Sequence, residues 1–306
     1  MQRRLIDYFI ISLKGLAMGA ADAVPGVSGG TIAFISGIYE ELISSISNIN
    51  ISLFKTLFSK GIYAFWKQLN GNFLLALTTG IIISFVSFMK LAKYLLENHP
   101  ILIWSFFFGL IVASIYFVGK QISKWNITVI IALIIGTGIA FYITRLPVLA
   151  NNESSLFLFF AGSIAICAMI LPGISGSFIL IILGAYKALS DAIHDIDIKK
   201  VFIFTSGALV GLLSFSHILK WLFKHYHNIT LALLTGFIFG SLNKVWPWKK
   251  TLTWHTNSKG IKTPVLQESV SPFSFDGESQ LAFAVILMII GFLTIFILEK
   301  VGSKKQ

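Results

Sequence analysis

The sequence predicts an all-α polytopic membrane protein built as an inverted repeat, and three observations lead to this prediction. Of the 306 residues, 56% are hydrophobic and only 12% are charged, whereas a soluble domain carries about 25% charged residues. Several long segments are almost free of charge, and the two halves of the chain share aligned prolines, glycines and serines. These features together predict a bilayer protein made of two related halves.

The long apolar segments have the length of membrane helices, because about 20 apolar residues cross the roughly 30 Å hydrocarbon core of a bilayer. They are "NFLLALTTGIIISFVSFM", "ILIWSFFFGLIVASIYFVG", "ITVIIALIIGTGIAFYI" and "LAFAVILMIIGFLTIFIL". The net charge of +11 comes from lysines and arginines scattered over loops. Basic loops beside membrane spans are expected from topology alone, so we expect no nucleic-acid partner.

The first sign of duplication is a pair of short motifs. "VPGVSGGTIAFISGIYEEL" begins at Val24, and "LPGISGSFILIILGAYKAL" begins at Leu171. Aligned without gaps, they pair Pro25 with Pro172, Gly26 with Gly173, Ser28 with Ser175, Gly29 with Gly176, Gly37 with Gly184 and Tyr39 with Tyr186. Apolar composition gives chance matches of leucine and isoleucine, but it does not align proline, glycine, serine and tyrosine. We therefore expect a true repeat.

A second match continues the repeat at a shorter offset. "TGIIISFVSFMKLAKYL" begins at Thr79 and resembles "SGALVGLLSFSHILKWL", which begins at Ser206. The aligned pairs are Gly80 with Gly207, Ser87 with Ser214, Lys93 with Lys220, Gly109 with Gly236 and Ser114 with Ser241. The chain is therefore expected to be a single transmembrane domain over 1–306, with repeats at 5–144 and 156–299.

Each repeat is predicted to contain five segments. They are 5–21, 25–47, 72–97, 100–120 and 124–144 in the first repeat, and 156–171, 172–190, 200–224, 229–245 and 280–299 in the second. A helix of about 16 residues spans only about 24 Å, so the first two segments of each repeat are interpreted as a re-entrant hairpin. A re-entrant hairpin does not cross the membrane, so a hairpin plus three spans crosses it three times. If all five segments were spans, the repeat would cross five times, so the number of crossings is odd in either case. Tandem copies of an odd unit lie in opposite orientations, so an inverted repeat is predicted.

Loop charges predict that the amino and carboxyl termini are cytoplasmic. In that orientation the cytoplasmic side holds Arg3, Arg4, Lys55, Lys60, Lys67, Lys120, Lys124, Lys300, Lys304 and Lys305. The short outer loops include "NNESS" and "SDAIHDID". This bias agrees with the positive-inside rule, although the long loop over 246–279 would lie outside and carries several lysines.

The two Pro-Gly breaks are the strongest candidates for a substrate site. Non-helical backbone at membrane depth is tolerated only where it is buried or lines a cavity, and matched breaks in two halves indicate a binding site. Glycines allow backbone N–H groups to approach a ligand, and helix amino termini favour anions. The hydroxyls of Ser28, Thr31, Ser175 and Ser177 add donors. The alternative is that these small residues only allow close helix packing.

Two acidic groups near the first break are candidates for proton coupling. Asp22 lies three residues before Pro25; it could carry a proton or cation, hold the hairpin open, or simply bond a helix terminus. Glu40 and Glu41 are expected at the end of the second hairpin helix. Glu40 is the second candidate for proton coupling, and a solvated role is the alternative for both. No metal-ligand spacing or Ser-His-Asp arrangement is apparent, so no cofactor, no metal and no enzymatic activity are expected.

At the two quoted motifs the chain resembles the bacterial polyprenyl-phosphate translocase family, which was formerly described only as a membrane domain of unknown function. The resemblance covers essentially the whole chain. It implies a flippase that returns undecaprenyl phosphate from the outer to the cytoplasmic leaflet of the bacterial plasma membrane, for recycling of the lipid carrier. The implied partners are polyprenyl phosphate and membrane lipids.

The resemblance also implies a phosphate site at the paired motifs. Its residues are Pro25, Gly26, Ser28, Gly29, Gly30 and Thr31 with Pro172, Gly173, Ser175, Gly176 and Ser177. The second copy has Ser177 in place of Gly30 and Phe178 in place of Thr31, which leaves equal roles for the two copies open. A transporter of a small soluble anion is the main alternative, ahead of a lipid-phosphate phosphatase or a scaffold.

Overall fold

The protein is mostly helical in a computed structural model that describes residues 3–22, 28–149, 152, 154–256 and 262–303. The elements are α1 (Leu5–Asp22), α2 (Gly29–Ile35), α3 (Tyr39–Ser47), α4 (Ile51–Leu69), α5 (Gly71–Asn98), α6 (Pro100–Lys120), α7 (Ile127–Thr144), α8 (Ser155–Ile170), α9 (Gly176–Ile182), α10 (Tyr186–His194), α11 (Ile198–Gly240), α12 (Leu242–Val245), β1 (Lys249–Thr256), β2 (Lys262–Ser269) and α13 (Leu281–Ser303).

The first helix of each half packs closely on a long helix of the same half. Helix α1 packs along α5, and α8 packs along the first part of α11. A Cβ atom on Gly80 would clash with the carbonyl oxygen of Ser12, and one on Gly207 would clash with that of Phe159. These glycines are an aligned pair in the sequence, so both halves use a small residue at the same place in the packing.

The last helix of each half packs on the other half. Helix α7 lies along the second part of α11, and α13 lies along α6. Helix α11 changes direction at Tyr226, whose φ of −135° and ψ of 47° are not helical. Its two parts match the segments predicted over 200–224 and 229–245. Each half therefore contributes a helix to the other, and the two halves form one bundle.

The second arm of each predicted hairpin consists of two short helices. Gly37 separates α2 from α3 with a φ of 72°, and Gly184 separates α9 from α10 with a φ of 70°. The N–H of Ile38 donates to the Ala33 carbonyl at 3.1 Å, and the N–H of Ala185 donates to the Leu180 carbonyl at 2.9 Å. These bonds and the left-handed glycine form a Schellman ending. Helices α9 and α10 meet at a bend of 107°.

Several helices have the length and apolar character of membrane spans. Among the described residues four qualify on these criteria alone, over Gly71–Met89, Pro100–Lys120, Ile127–Thr144 and Ile198–Val245. The bent pair α9–α10 would make a fifth if it is counted as one span. Large apolar side chains such as Val86 and Ile134 are exposed on these helices. Because lipid can cover such side chains, the predicted multi-pass membrane protein agrees with this structure.

Two features of the fold were not predicted, one helix and one β-hairpin. Helix α4 lies in the stretch between the predicted segments 25–47 and 72–97, and Gly61 breaks it with a φ of 79°. The long loop over 246–279 contains the antiparallel hairpin β1–β2. The all-α prediction is therefore wrong for this stretch, because two strands there pair with each other outside the predicted apolar segments.

Candidate functional site

The two Pro-Gly motifs meet in the structure. The backbone N–H of Gly173 donates to Thr31 Oγ1 at 2.8 Å. The Ser28 hydroxyl lies 3.4 Å from the Met169 carbonyl oxygen and 3.5 Å from that of Leu171. Ser28 and Thr31 are only 3% and 1% exposed. Residues 141 to 143 positions apart in sequence are thus joined by direct hydrogen bonds.

At the first motif, the side chain of Asp22 bonds the start of α2. The N–H of Gly29 donates to Asp22 Oδ1 at 2.6 Å, and the N–H of Gly30 donates to Ser28 Oγ at 3.1 Å. This is the helix-terminus hydrogen bond that was one of the predicted roles of Asp22. Pro25 and Gly26 lie outside the described residues. In this conformation a carboxylate therefore occupies one N–H donor, that of Gly29, which could otherwise bind an oxyanion.

The second motif is more open. The hydroxyls of Ser175 and Ser177 lie 2.8 Å apart, and no side chain caps the start of α9. Ser177 is exposed, Ser175 is half-buried and Gly176 is buried. Each hydroxyl can donate one hydrogen and accept others. This pair can therefore offer donors to an oxyanion without breaking a bond to the backbone.

Glu40 and Glu41 lie in the first turn of α3. Their predicted place at the end of a hairpin helix is wrong, because the Schellman turn at Gly37 ends α2 before them. Glu40 is exposed and pairs with His227 Nε2 at 3.0 Å. Glu41 accepts two hydrogen bonds from the Arg3 guanidinium, both at 2.6 Å. Glu41 is thus held in a fixed ion pair, whereas Glu40 remains open to solvent.

Two lysines beside the second motif were missed by the sequence analysis. Lys244 and Lys249 are both half-buried. The Lys244 ammonium lies 4.1 Å from the ring centroid of Phe178, which follows Ser177 in α9. The sequence places both lysines in or beside a polar loop, and only long-range contacts bring them to the motif. Within the described chain, no group of three or more His, Cys, Asp or Glu side chains converges to form a metal site.

These features define a multi-pass helical membrane protein in which the two motifs meet within a bundle of apolar helices. A family model described as undecaprenyl phosphate translocase-like matches residues 18–263. The chain belongs to this family. The matched region contains both motifs and the contact between them.

Two curated relatives agree with the family. A "Polyprenyl-phosphate transporter" of Vibrio cholerae is 46% identical over 308 residues, which cover 99% of this chain and 100% of the relative. A "Polyprenyl-phosphate transporter" of Staphylococcus aureus is 33% identical over 255 residues, which cover 77% and 85%. No solved structure matches the chain. The family and its relatives are transporters rather than enzymes, as predicted.

Proposed function

We propose that the protein is a flippase that moves undecaprenyl phosphate from the outer to the cytoplasmic leaflet, so that the lipid carrier can be reused. The observation that carries the proposal is the direct contact between the two motifs through Gly173 and Thr31. In a chain of this family, such a contact supports one phosphate site formed by both halves.

The proposed site combines backbone donors and hydroxyls from both tips. Its residues are Gly26, Ser28, Gly29, Gly30, Thr31, Gly173, Ser175, Gly176 and Ser177. A phosphate bound mainly by neutral donors can be released again, because no buried ion pair with the protein has to be broken. This suits a transporter, which must both bind and release its substrate.

Sheltering the head group is the main physical task of such a flippase. A charged phosphate is very costly to place in hydrocarbon. The prenyl chain carries no such penalty and can remain among membrane lipids throughout. A polar site that opens sideways between helices would therefore be enough, and the exposed Ser177 supports an opening at the second tip.

We propose that the domain over 1–306 is an inverted repeat with units at 5–144 and 156–299. The matched Schellman turns at Gly37 and Gly184 support this, as do the matched packing sites at Gly80 and Gly207. Each unit would contain a re-entrant hairpin whose tip stops near the midplane, as in many secondary transporters.

Alternating access would move this site between the two leaflets. Tyr39 is 2% exposed, whereas its repeat partner Tyr186 is 47% exposed. The two repeat units are thus packed unequally at this tyrosine. The difference supports a protein that alternates between two opposite conformations and adopts one of them here. Protonation of Asp22 would weaken its hold on Gly29 and free that donor for phosphate. Glu40 is a second candidate for proton coupling.

In the proposed orientation, both termini lie on the cytoplasmic side of the bacterial plasma membrane. The basic residues near the amino terminus and in the loop after α6 support this orientation through the positive-inside rule. The second tip and the hairpin β1–β2 then belong to the outer half of the membrane, where the substrate would enter.

The proposal is tested with purified full-length protein in lipid vesicles. A labelled polyprenyl phosphate should become inaccessible to an added quencher faster than in protein-free vesicles, whereas a labelled neutral polyprenol should show no such acceleration. Protein that binds the labelled phosphate normally but does not move it would refute the flippase.

The same preparation tests transport of a small soluble anion. Short-chain polyprenyl phosphate should compete for binding at concentrations at which inorganic phosphate does not. Equal competition by both would favour the soluble-anion transporter, because the prenyl chain would then add nothing to recognition.

A further inference from the structure

We propose that Lys244 and Lys249 form an entry site that captures the phosphate of a polyprenyl phosphate before it reaches the second tip. This inference rests on the proposed function, and it adds to that function a cationic binding point outside the two motifs. The entry site consists of these two lysines and lies where α12 leads into β1.

Lys244 connects the entry site to the second tip. It lies one turn beyond Ser241, and a Cβ atom on Gly173 would come within 2.9 Å of the Ser241 hydroxyl. The Lys244 ammonium lies over Phe178 of α9, at 4.1 Å from the ring centroid. Lys244 therefore stands directly beside the helix that carries Ser177.

Lys249 is fixed next to Lys244. Its ammonium donates to the Lys244 carbonyl oxygen at 2.6 Å and lies 3.9 Å from the ring centroid of Trp104. The indole N–H of Trp248 bonds the Ser279 carbonyl at 2.9 Å, which anchors the chain immediately before Lys249. Burial, with a smaller contribution from the charge of Lys244, lowers the pKa of Lys249 well below its usual value.

Neither ammonium is neutralised by a carboxylate within the described part of the chain. The neighbouring Lys250 shows the contrast, because it pairs with Asp276 at 3.7 Å and is exposed. An ammonium has three donors, and Lys249 uses one of them on a backbone oxygen. Two half-buried positive charges without a counter-charge are costly, and an anion placed between them would relieve that cost.

A small apolar groove lies near the entry site and offers room for part of a prenyl chain. It has a volume of about 220 Å³, lies between α6 and α13, and includes Phe108, Val112 and Phe292 in its lining. Phe108 packs edge-on against Trp246, with ring centroids 5.3 Å apart. Trp246 packs in turn against Trp248. A cationic head-group site next to an apolar groove suits a lipid phosphate better than a free anion.

Binding measurements on purified full-length protein test the inference. The probe is a fluorescent short-chain polyprenyl phosphate, and inorganic phosphate and neutral polyprenol serve as competitors. Lys244→Met and Lys249→Met should each weaken binding about tenfold, the effect of losing one charge-assisted hydrogen bond. Lys244→Arg and Lys249→Arg should largely retain it. The matched control is Lys250→Met, which removes the same charge one residue away and should leave the affinity within about twofold, as for a solvated surface charge.

The outcomes separate this inference from the proposed function. Normal binding by both Met variants, in a protein whose wild type transports, would overturn the entry site and leave the flippase intact. A wild type that neither binds nor moves polyprenyl phosphate would overturn the flippase. If inorganic phosphate competes as well as the lipid, the entry site takes free phosphate and the lipid assignment is wrong.

A second measurement applies if a Met variant fails to fold. In the wild type, polyprenyl phosphate should protect Lys244 and Lys249 from amine acetylation, as followed by mass spectrometry, whereas polyprenol should not. Lys250 should be acetylated equally in all samples. Equal acetylation of Lys244 and Lys249 with and without polyprenyl phosphate would contradict the inference.

Discussion

At the first tip, Asp22 bonds the start of α2, and Glu40 and Glu41 follow within one further helix. At the second tip, the aligned positions hold Met169, Lys187 and Ala188. The second tip thus has no carboxylate at these three positions, and two lysines without an acidic partner among the described residues lie beside it. The same backbone turns therefore carry a carboxylate at the start of α2 in the first tip and none at the aligned position of the second.

Exposure differs in the same direction as charge. Ser28 and Thr31 are buried against the end of α8, whereas Ser177 is exposed. An anion that approaches the second tip would contact the hydroxyls of Ser175 and Ser177 and the two nearby lysines. An anion that approaches the first tip would find the Asp22 carboxylate already bonded to the Gly29 N–H. Under the proposed function, the second tip would receive the phosphate in this conformation. The first tip would have to exchange Asp22 for the phosphate in order to bind it.

The largest effect is expected when the contact between the tips is filled. Ser28→Leu places a bulky side chain where the serine hydroxyl now faces the Met169 and Leu171 carbonyls. Overpacking there should separate the motifs and lower the flipping rate in vesicles at least about 100-fold, because about 3 kcal/mol of strain is expected. Thr79→Leu, on an exposed face of α5, is the control and should flip normally. Unchanged flipping by Ser28→Leu would show that the tips only pack.

Asp22→Asn tests whether the acidic tip must change its protonation state. The amide oxygen can still accept from Gly29, so the fold should be kept, but the group can no longer release a proton. We expect flipping to fall about tenfold, which corresponds to about 1.4 kcal/mol added to the barrier, while binding of the fluorescent lipid persists. Asp7→Asn, at the start of α1, is the matched control. Normal flipping by Asp22→Asn would leave Asp22 with only its helix-terminus role.

The shared backbone of the two tips can be tested with Gly37→Ala and Gly184→Ala. Each alanine must adopt a positive φ, which costs about 1 kcal/mol. We expect both variants to lower the free energy of unfolding by similar amounts, as measured by denaturation in mixed micelles. Gly119→Ala, where a Cβ atom would meet open space, serves as the control. Clearly unequal losses would argue against equivalent turns.

The smallest expected effect is on the pH dependence of binding. The second pKa of a phosphate monoester is about 6, so the charge of the phosphate changes little above pH 7. A change in affinity above pH 7 therefore reflects titration of groups in the protein. Because burial lowers the pKa of Lys249, its ammonium should lose its proton at a lower pH than an ordinary lysine does, and binding should weaken by a few-fold as the pH rises through that range. Among the described residues, Lys244 is the charged group that shifts the pKa of Lys249, and it adds to the loss in the same direction. Lys249→Arg should flatten the profile, and an unchanged profile would argue against Lys249 as a ligand.

The sequence predicted much of the fold because its signals are local or repeated. Apolar length predicted α5, α6, α7 and α13, and aligned glycines marked the turns and packing sites that the structure contains. The alignment of Gly37 with Gly184 is visible in the sequence, but the left-handed turn at each glycine is not. Glycine alone does not distinguish a helix break from a packing site, and this is why Glu40 and Glu41 were misplaced.

The entry site could not be predicted from the sequence. Lys249 is half-buried because Trp104, which lies 145 positions earlier, packs against it. The stretch "KVWPWKK" is typical of an interfacial loop, where lysines are expected to reach water. The sequence shows that a residue is a lysine, but it does not show whether a carboxylate lies next to it in the fold. That depends on tertiary contacts.

The most direct test of the central claim is an experimental structure with a short-chain polyprenyl phosphate bound. We expect phosphate density within hydrogen-bonding distance of both tips, at residues 28–31 and 173–177, or at Lys244 and Lys249 beside the second tip. A phosphate bound away from both motifs and both lysines, with Gly173 still bonded to Thr31, would contradict it.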